Sequence, residues 1–238
     1  DRYCPFAKHR ETSEEHEADR AALERFVAWV ESQPFDVSVL FTPWGEALIW
    51  PRYQHAITRL SRLPHVRQVA IQTNLSGPLG WLRDADLGKV GLWATYHPGE
   101  VSREHFLKRC AELDAIGVRY SVGVVGVPDQ LPEIQAVWDA LNPATYLWVN
   151  AFTGGRPYTR AERAALTHID PLFEVNTRRY RSRGHACQAG ETVISVDGDG
   201  TARRCHFIST PLGNIYAQDV WELLAPRPCT RVTCHCHI

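Results

Sequence analysis

Five cysteines crowd the last fifth of this 238-residue chain: Cys187, Cys205, Cys229, Cys234 and Cys236. Cys4 and Cys110 bring the total to seven. Thiolates pair as disulfides, attack electrophiles or ligate metals. An odd count and the lack of a visible export signal argue against a secreted disulfide framework and for a metal centre. Four thiolates suit either a structural zinc ion or an iron–sulfur cluster, and His206, His235 and His237 beside them would suit a mixed zinc site. Twelve residues separate Cys187 from Gly200 and four more precede Cys205, a spacing that reads as a hairpin turned by Gly200. The tail then returns as Cys229, four residues, Cys234, one residue and Cys236. Arg203, Arg204 and Arg231 stand close by; they tune such a centre, bind an acidic substrate or simply face solvent. Cys110 lies between Phe106 and Leu113 at helical spacing and reads as a small core residue.

A second set of chemical groups follows the apolar segments of the first two thirds. Gly45-Glu46 pairs a flexible backbone with a carboxylate, which suits a ligand ammonium group. Gln72-Thr73-Asn74, Thr95-Tyr96-His97, Gly126-Val127-Pro128-Asp129 and Asn150 each end an apolar run with polar groups. His97 is either a substrate contact or a structural loop residue. Polar residues at the ends of successive strands predict a polar ligand in a shared mouth.

The elements that must position these groups alternate. Helical periodicity covers residues 12–33, with strands expected at 37–41, 66–72, 90–94, 118–125 and 146–152. Helices centred near Tyr53 and Leu60, over 102–116 and over 131–141 lie between them, and a short helical stretch sits near Trp81. Gly117 provides the C-terminal stop of the second. This alternation predicts a parallel sheet with helices packed outside it. One further strand is expected before Asp1, giving a partial, TIM-like (β/α)6 barrel over residues 1–183. Residues 184–238 are expected to form a small cysteine-rich domain. A net charge of −1 excludes a nucleic-acid or membrane-surface protein, and no apolar run approaches a membrane span. Without a signal peptide the expected compartment is the cytoplasm. The absence of Met and a start inside an apparent motif point to an N-terminal truncation.

Tyr3-Cys4 stands where that first strand would end, and there the sequence resembles the radical SAM enzymes. Their signature has three cysteines, an aromatic preceding the last. Cys4 with Tyr3 matches that last cysteine, while the middle one falls at Asp1. Gly45-Glu46 resembles the motif that holds the amino group of S-adenosylmethionine (AdoMet); Val124, Gly126 and Asp129 resemble the fifth-strand motif near the adenine. Cys187, Gly200 and Cys205 resemble the opening of a SPASM/twitch-like auxiliary-cluster domain. The resemblance implies a [4Fe–4S] cluster at Cys4 and reductive cleavage of AdoMet to a 5′-deoxyadenosyl radical. It also implies AdoMet contacts at Tyr3, Gly45, Glu46, Asn74, Thr95, Gly126 and Asn150. One auxiliary [4Fe–4S] cluster is implied on four of Cys187, Cys205, Cys229, Cys234 and Cys236. A peptide or protein substrate and an electron donor such as flavodoxin or ferredoxin are the implied partners. The rival reading is a non-catalytic binding module, stabilised by zinc or iron–sulfur on a degenerate barrel, and Asp1 favours it.

Overall fold

The structure, a computed structural model, describes residues 12–234. Tyr3, Cys4 and Cys236 lie outside them. Val30–Thr177 form one compact unit; Thr12–Trp29 and the segment from Arg178 form another. Helix α1 (Ser13–Glu31) therefore supplies most of its length to the second unit. No helix of the described residues is long and apolar enough to cross a membrane.

The first unit alternates as the sequence predicts. It runs β1 (Val37–Phe41), α2 (Pro51–Arg62), β2 (Val66–Thr73), β3 (Val90–Tyr96), α3 (Arg103–Ile116), β4 (Arg119–Val125), α4 (Leu131–Ala140), β5 (Leu147–Asn150), α5 (Arg160–Ile169) and α6 (Phe173–Asn176). Between β2 and β3 the chain makes only a 3₁₀ turn at Gly80–Asp84, the stretch expected near Trp81. Local signals explain the boundaries. Ser102 accepts from the His105 amide at the start of α3, and Gly117 ends that helix in the left-handed region at φ 79°. At the start of α5, Thr159 and Glu162 cap each other's backbone.

The sheet order is β1-β2-β3-β4-β5 and every pairing is parallel. Strand alternation alone also allows a doubly wound sheet, but that fold reverses its strand order at a switch point. A strictly sequential order winds one way, as a barrel does. Burial follows the two-residue period. Val69, Ile71, Val90, Leu92, Ala94, Val122, Val124, Leu147 and Val149 are buried on one face. Residues between them form the opposite face in register: Gln72 beside Trp93 beside Ser121, then Thr95 beside Gly123 beside Trp148, then Val125 beside Asn150.

In the second unit β7 (Ser195–Val196), β8 (Thr201–Arg203) and β9 (Pro211–Asn214) make an antiparallel sheet, and α7 (Val220–Leu223) follows. The expected hairpin turn is present: Gly200 has φ 87° and donates its amide to the Asp197 carbonyl. A Cβ on Gly200 would meet the Tyr216 ring at 2.3 Å, so only glycine fits. Ala202, Ile215 and Leu223 form the core of this unit, and Phe26 and Trp29 of α1 pack on it. A separate pair joins β6 (Tyr180–Arg181) to β10 (Thr233–Cys234).

Candidate functional site

Glu46 is the most constrained polar side chain at the strand ends. Its Oε1 accepts from the Leu48 amide at 3.0 Å and the Thr73 hydroxyl at 2.9 Å, and its Oε2 accepts from the Asn74 amide. The carboxylate thus ties the exit of β1 to the exit of β2. No lysine, arginine or histidine of the described residues pairs with this half-buried anion. Gly45 before it adopts φ 72°.

The loop leaving β2 is built to hold that arrangement. Asn74 closes a turn by accepting from the Ser76 amide, and Leu75, fully buried, sits in the left-handed region at φ 62°. That conformation in a non-glycine residue costs about 1–3 kcal/mol. Arg109 of α3 fastens the loop by donating to the carbonyls of Leu75 and Gly77. Gly77 lies so close to the Ala47–Ile49 turn that a Cβ would meet the Leu48 carbonyl oxygen at 2.4 Å.

At the other side of the sheet, the Gly126 amide donates to the Asn150 carbonyl at 2.8 Å. The Tyr158 hydroxyl donates to the Gly126 carbonyl and accepts from the Phe152 amide, both at 2.6 Å. A Cβ at Gly126 would meet Val149 Cγ1 at 2.9 Å and the Tyr158 hydroxyl at 3.2 Å. Between these ends lies an aromatic floor. Trp93 and Trp148 pack with ring centroids 4.9 Å apart, and Gly123 makes room for the Trp93 indole. Burial holds the His97 imidazole below its usual pKa, which favours the neutral ring.

The Thr73 and Tyr158 hydroxyls are engaged by the protein, and Glu46 has three donors but no counter-charge. By contrast, the side chains of Gln72, Thr95, Ser121 and Asn150 make no hydrogen bond to any described residue, although they share one face. These groups fit a polar, uncharged ligand surface such as a nucleoside, and Glu46 fits a cation beside it. Asp129, exposed in a 3₁₀ turn after β4, contacts neither set through a hydrogen bond. Arg109 and Tyr158 were not recognisable as supports, because each acts at a point more than thirty residues from its partners or through its hydroxyl alone.

In the tail, Cys187 is exposed and Cys205 and Cys229 are half-buried; these three are free thiols, and Cys234 is half-buried in β10. No group of three His, Cys, Asp or Glu side chains among the described residues is arranged around a single metal ion. Among the described residues the backbone joins the segment before Cys187 to that of Cys229. The Cys229 amide donates to the His185 carbonyl at 3.0 Å, and the Gly184 amide donates to the Cys229 carbonyl at 2.8 Å. Arg204, only 4% exposed, bonds the Pro228 carbonyl at 2.7 Å while its Nη2 has no partner. The Arg204 side chain thus ties the segment before Cys205 to the segment before Cys229. Cys110 is buried in α3 and its thiol is pushed up to about 12 by burial, as a core residue requires.

No family model matches the sequence, and no curated protein matches it. Its fold does match solved structures. A histidine-tagged form of anSMEcpe with bound AdoMet superposes with a TM-score of 0.56 at 12% identity, over 93% of this chain and 72% of that one. Native anSMEcpe with bound AdoMet and Kp18Cys peptide gives 0.57 at 13% identity, over 93% and 75%. The chain, which carries a five-stranded parallel sheet, therefore shares its α/β fold with this AdoMet-bound protein.

Proposed function

We propose that this chain binds AdoMet at the C-terminal ends of β1–β5 and belongs to a radical SAM enzyme. The observation that carries the reading is Glu46: an anion fixed by three donors at the strand ends and left without a cation. An AdoMet ammonium would complete it. A likeness in fold to AdoMet-bound chains supports the same reading.

In this reading Cys4 would hold one iron of a [4Fe–4S] cluster, and that cluster when bound would supply the electron for reductive cleavage of AdoMet to methionine and a 5′-deoxyadenosyl radical. Residues of this chain do the rest. Glu46 orients the amino group, Asn74 and Gly45 shape the loop around it, and Gln72, Thr95, Ser121 and Asn150 offer hydrogen bonds to the nucleoside. Gly126 brings β4 and β5 close at the adenine end, and the Trp93–Trp148 floor excludes water from the reacting side. The tail cysteines would hold an auxiliary cluster in a SPASM/twitch-like domain. A peptide or protein is the proposed substrate, in keeping with the peptide bound to the structural neighbour, and a flavodoxin or ferredoxin the electron donor.

Anaerobic reconstitution of the full-length protein with iron and sulfide, followed by reduction with AdoMet present, tests this. Methionine and 5′-deoxyadenosine are expected in equal amounts. Full iron loading with AdoMet left intact would overturn the assignment.

A further inference from the structure

Strand β5 is the last of its sheet, and among the described residues no strand pairs with its outer side. An edge leaves backbone groups that need partners once other elements cover them. Here side chains supply those partners. Asp170, wholly buried at the end of α5, accepts from the Val149 amide at 3.0 Å. Asn176 of α6, only 9% exposed, donates from Nδ2 to the Val149 carbonyl at 2.9 Å. Its Oδ1 accepts from the Ala151 amide at 2.6 Å. In a parallel ladder, a residue opposite position i donates to the carbonyl of i−1 and accepts from the amide of i+1. The Asn176 carboxamide makes that same pair of bonds, with Asn150 at the centre.

Asn150 is therefore held from two sides. Its own carbonyl accepts from the Gly126 amide on the β4 side at 2.8 Å, and Asn176 bonds both of its flanking peptide groups on the other. Only its side chain is left free, exposed and without a hydrogen bond to any described residue. Helix α6 is four residues long, and tertiary contacts fix it. Phe173 is fully buried and sets its ring edge-on against Tyr158, with centroids 5.3 Å apart. Arg163 of α5 pairs with Glu174. Nothing local in the sequence marks Asn176, which lies 25 and 27 residues from its two partners.

We propose that Asn176 is a positioning residue for the ligand at the strand ends. By standing in for a neighbouring strand opposite Asn150, it fixes the backbone from which the Asn150 carboxamide reaches the nucleoside. The inference rests on the AdoMet reading of that site. A group held in place before the ligand arrives makes its hydrogen bond without the cost of ordering the chain that carries it.

The test compares the reconstituted full-length protein with Asn176→Ala, Asn150→Ala and the double variant. Hydrogen exchange at the Gly126 amide is read first, without AdoMet. Asn176 does not bond that amide, so faster exchange there in Asn176→Ala, with β2 protected as in the parent, is the expected sign that Asn150 has loosened from β4. Parent-like exchange at Gly126 overturns the proposal, and so does an equal loss of protection in β2, which assigns Asn176 to overall stability. AdoMet affinity is read second, by anaerobic calorimetry. Asn176→Ala should weaken binding about tenfold, and should cost little more once Asn150 is alanine, because the two residues act as a unit. Unchanged affinity in Asn176→Ala, or losses that add in full, overturn the proposal. Where Asn176→Ala does not fold, Asn176→Asp is read in its place by the same criteria; it keeps the acceptor for the Ala151 amide and loses the donor to the Val149 carbonyl. A parent that binds no AdoMet overturns the AdoMet reading and this proposal with it. A parent that binds AdoMet while either readout fails overturns the positioning role alone.

Discussion

Glu46 and Tyr158 show two ways in which one side chain governs the strand ends. The Glu46 carboxylate is already oriented, so a ligand ammonium gains a charge-assisted bond without ordering it. Glu46→Gln is expected to weaken AdoMet binding by about 1.5–3 kcal/mol, roughly ten- to hundred-fold, measured by anaerobic calorimetry. Unchanged affinity would leave Glu46 as a cap of the Ala47–Ile49 turn and no more. Tyr158 is purely structural: its hydroxyl satisfies the Phe152 amide and the Gly126 carbonyl together. Tyr158→Phe leaves that amide without its partner and should cost about 1–3 kcal/mol in denaturant unfolding. Thiol chemistry separates Cys110 from Cys187 at the same scale. In metal-free protein, iodoacetamide should label exposed Cys187 within minutes and Cys110 only after unfolding, because burial keeps the latter protonated. Labelling of both in the native state would contradict the packing of α3.

At the scale of elements, helix α5 depends on its first turn. Thr159 accepts from the Glu162 amide, and Glu162 accepts from the Thr159 amide and from Arg156. Thr159→Ala should cost about 1 kcal/mol. The carboxyl of Glu162 is held near about 2, first by the Arg156 guanidinium and then by the Thr159 amide. A depressed folded pKa gives stability that is present above the unfolded value, about 4.3, and lost as pH falls through the folded one. Glu162→Gln should therefore destabilise the protein at neutral pH, with the difference shrinking below about pH 4 and vanishing only below about pH 2. Equal effects of Glu162→Gln at neutral pH and at that acid limit would show that the carboxylate charge is irrelevant to the cap.

Across the whole chain, the second unit is discontinuous: residues 12–29 belong with a partner segment that starts at Arg178. Phe26 and Trp29 cover the Ala202, Ile215 and Leu223 core, which is small. Phe26→Ala is expected to destabilise this unit by about 2–3 kcal/mol, below the range for a fully buried phenylalanine because the ring is half-exposed. Hydrogen exchange should report it as lost protection in β8 and β9, with β2–β4 unaffected. Equal loss of protection in β2–β4 would mean the units unfold as one.

Much of the first unit was readable along the chain, because each strand and helix there is decided by neighbours a few residues away. Apolar period, the Ser102 cap and the Gly117 stop place α3 without any tertiary contact, and Gly200 announces its turn because no other residue tolerates that backbone. The same locality put Glu46, Asn74, Thr95, Gly126 and Asn150 at strand ends. What those ends do to one another depended on pairings remote in sequence. Sequential strand order, which chooses a barrel-like winding over a doubly wound sheet, is a property of the assembled ladder. So are the bonds that Thr73 and Asn74 give Glu46, the reach of Arg109 to Gly77, and the lack of any hydrogen-bond partner for the Thr95 side chain. The tail divides in the same way. Cysteine type and spacing declare a metal-binding chemistry, and three nearby arginines look alike in the sequence. Only folding buries Arg204 while leaving Arg203 and Arg231 to ordinary partners, since burial is set by what packs across a unit and not by the residues beside it in the chain.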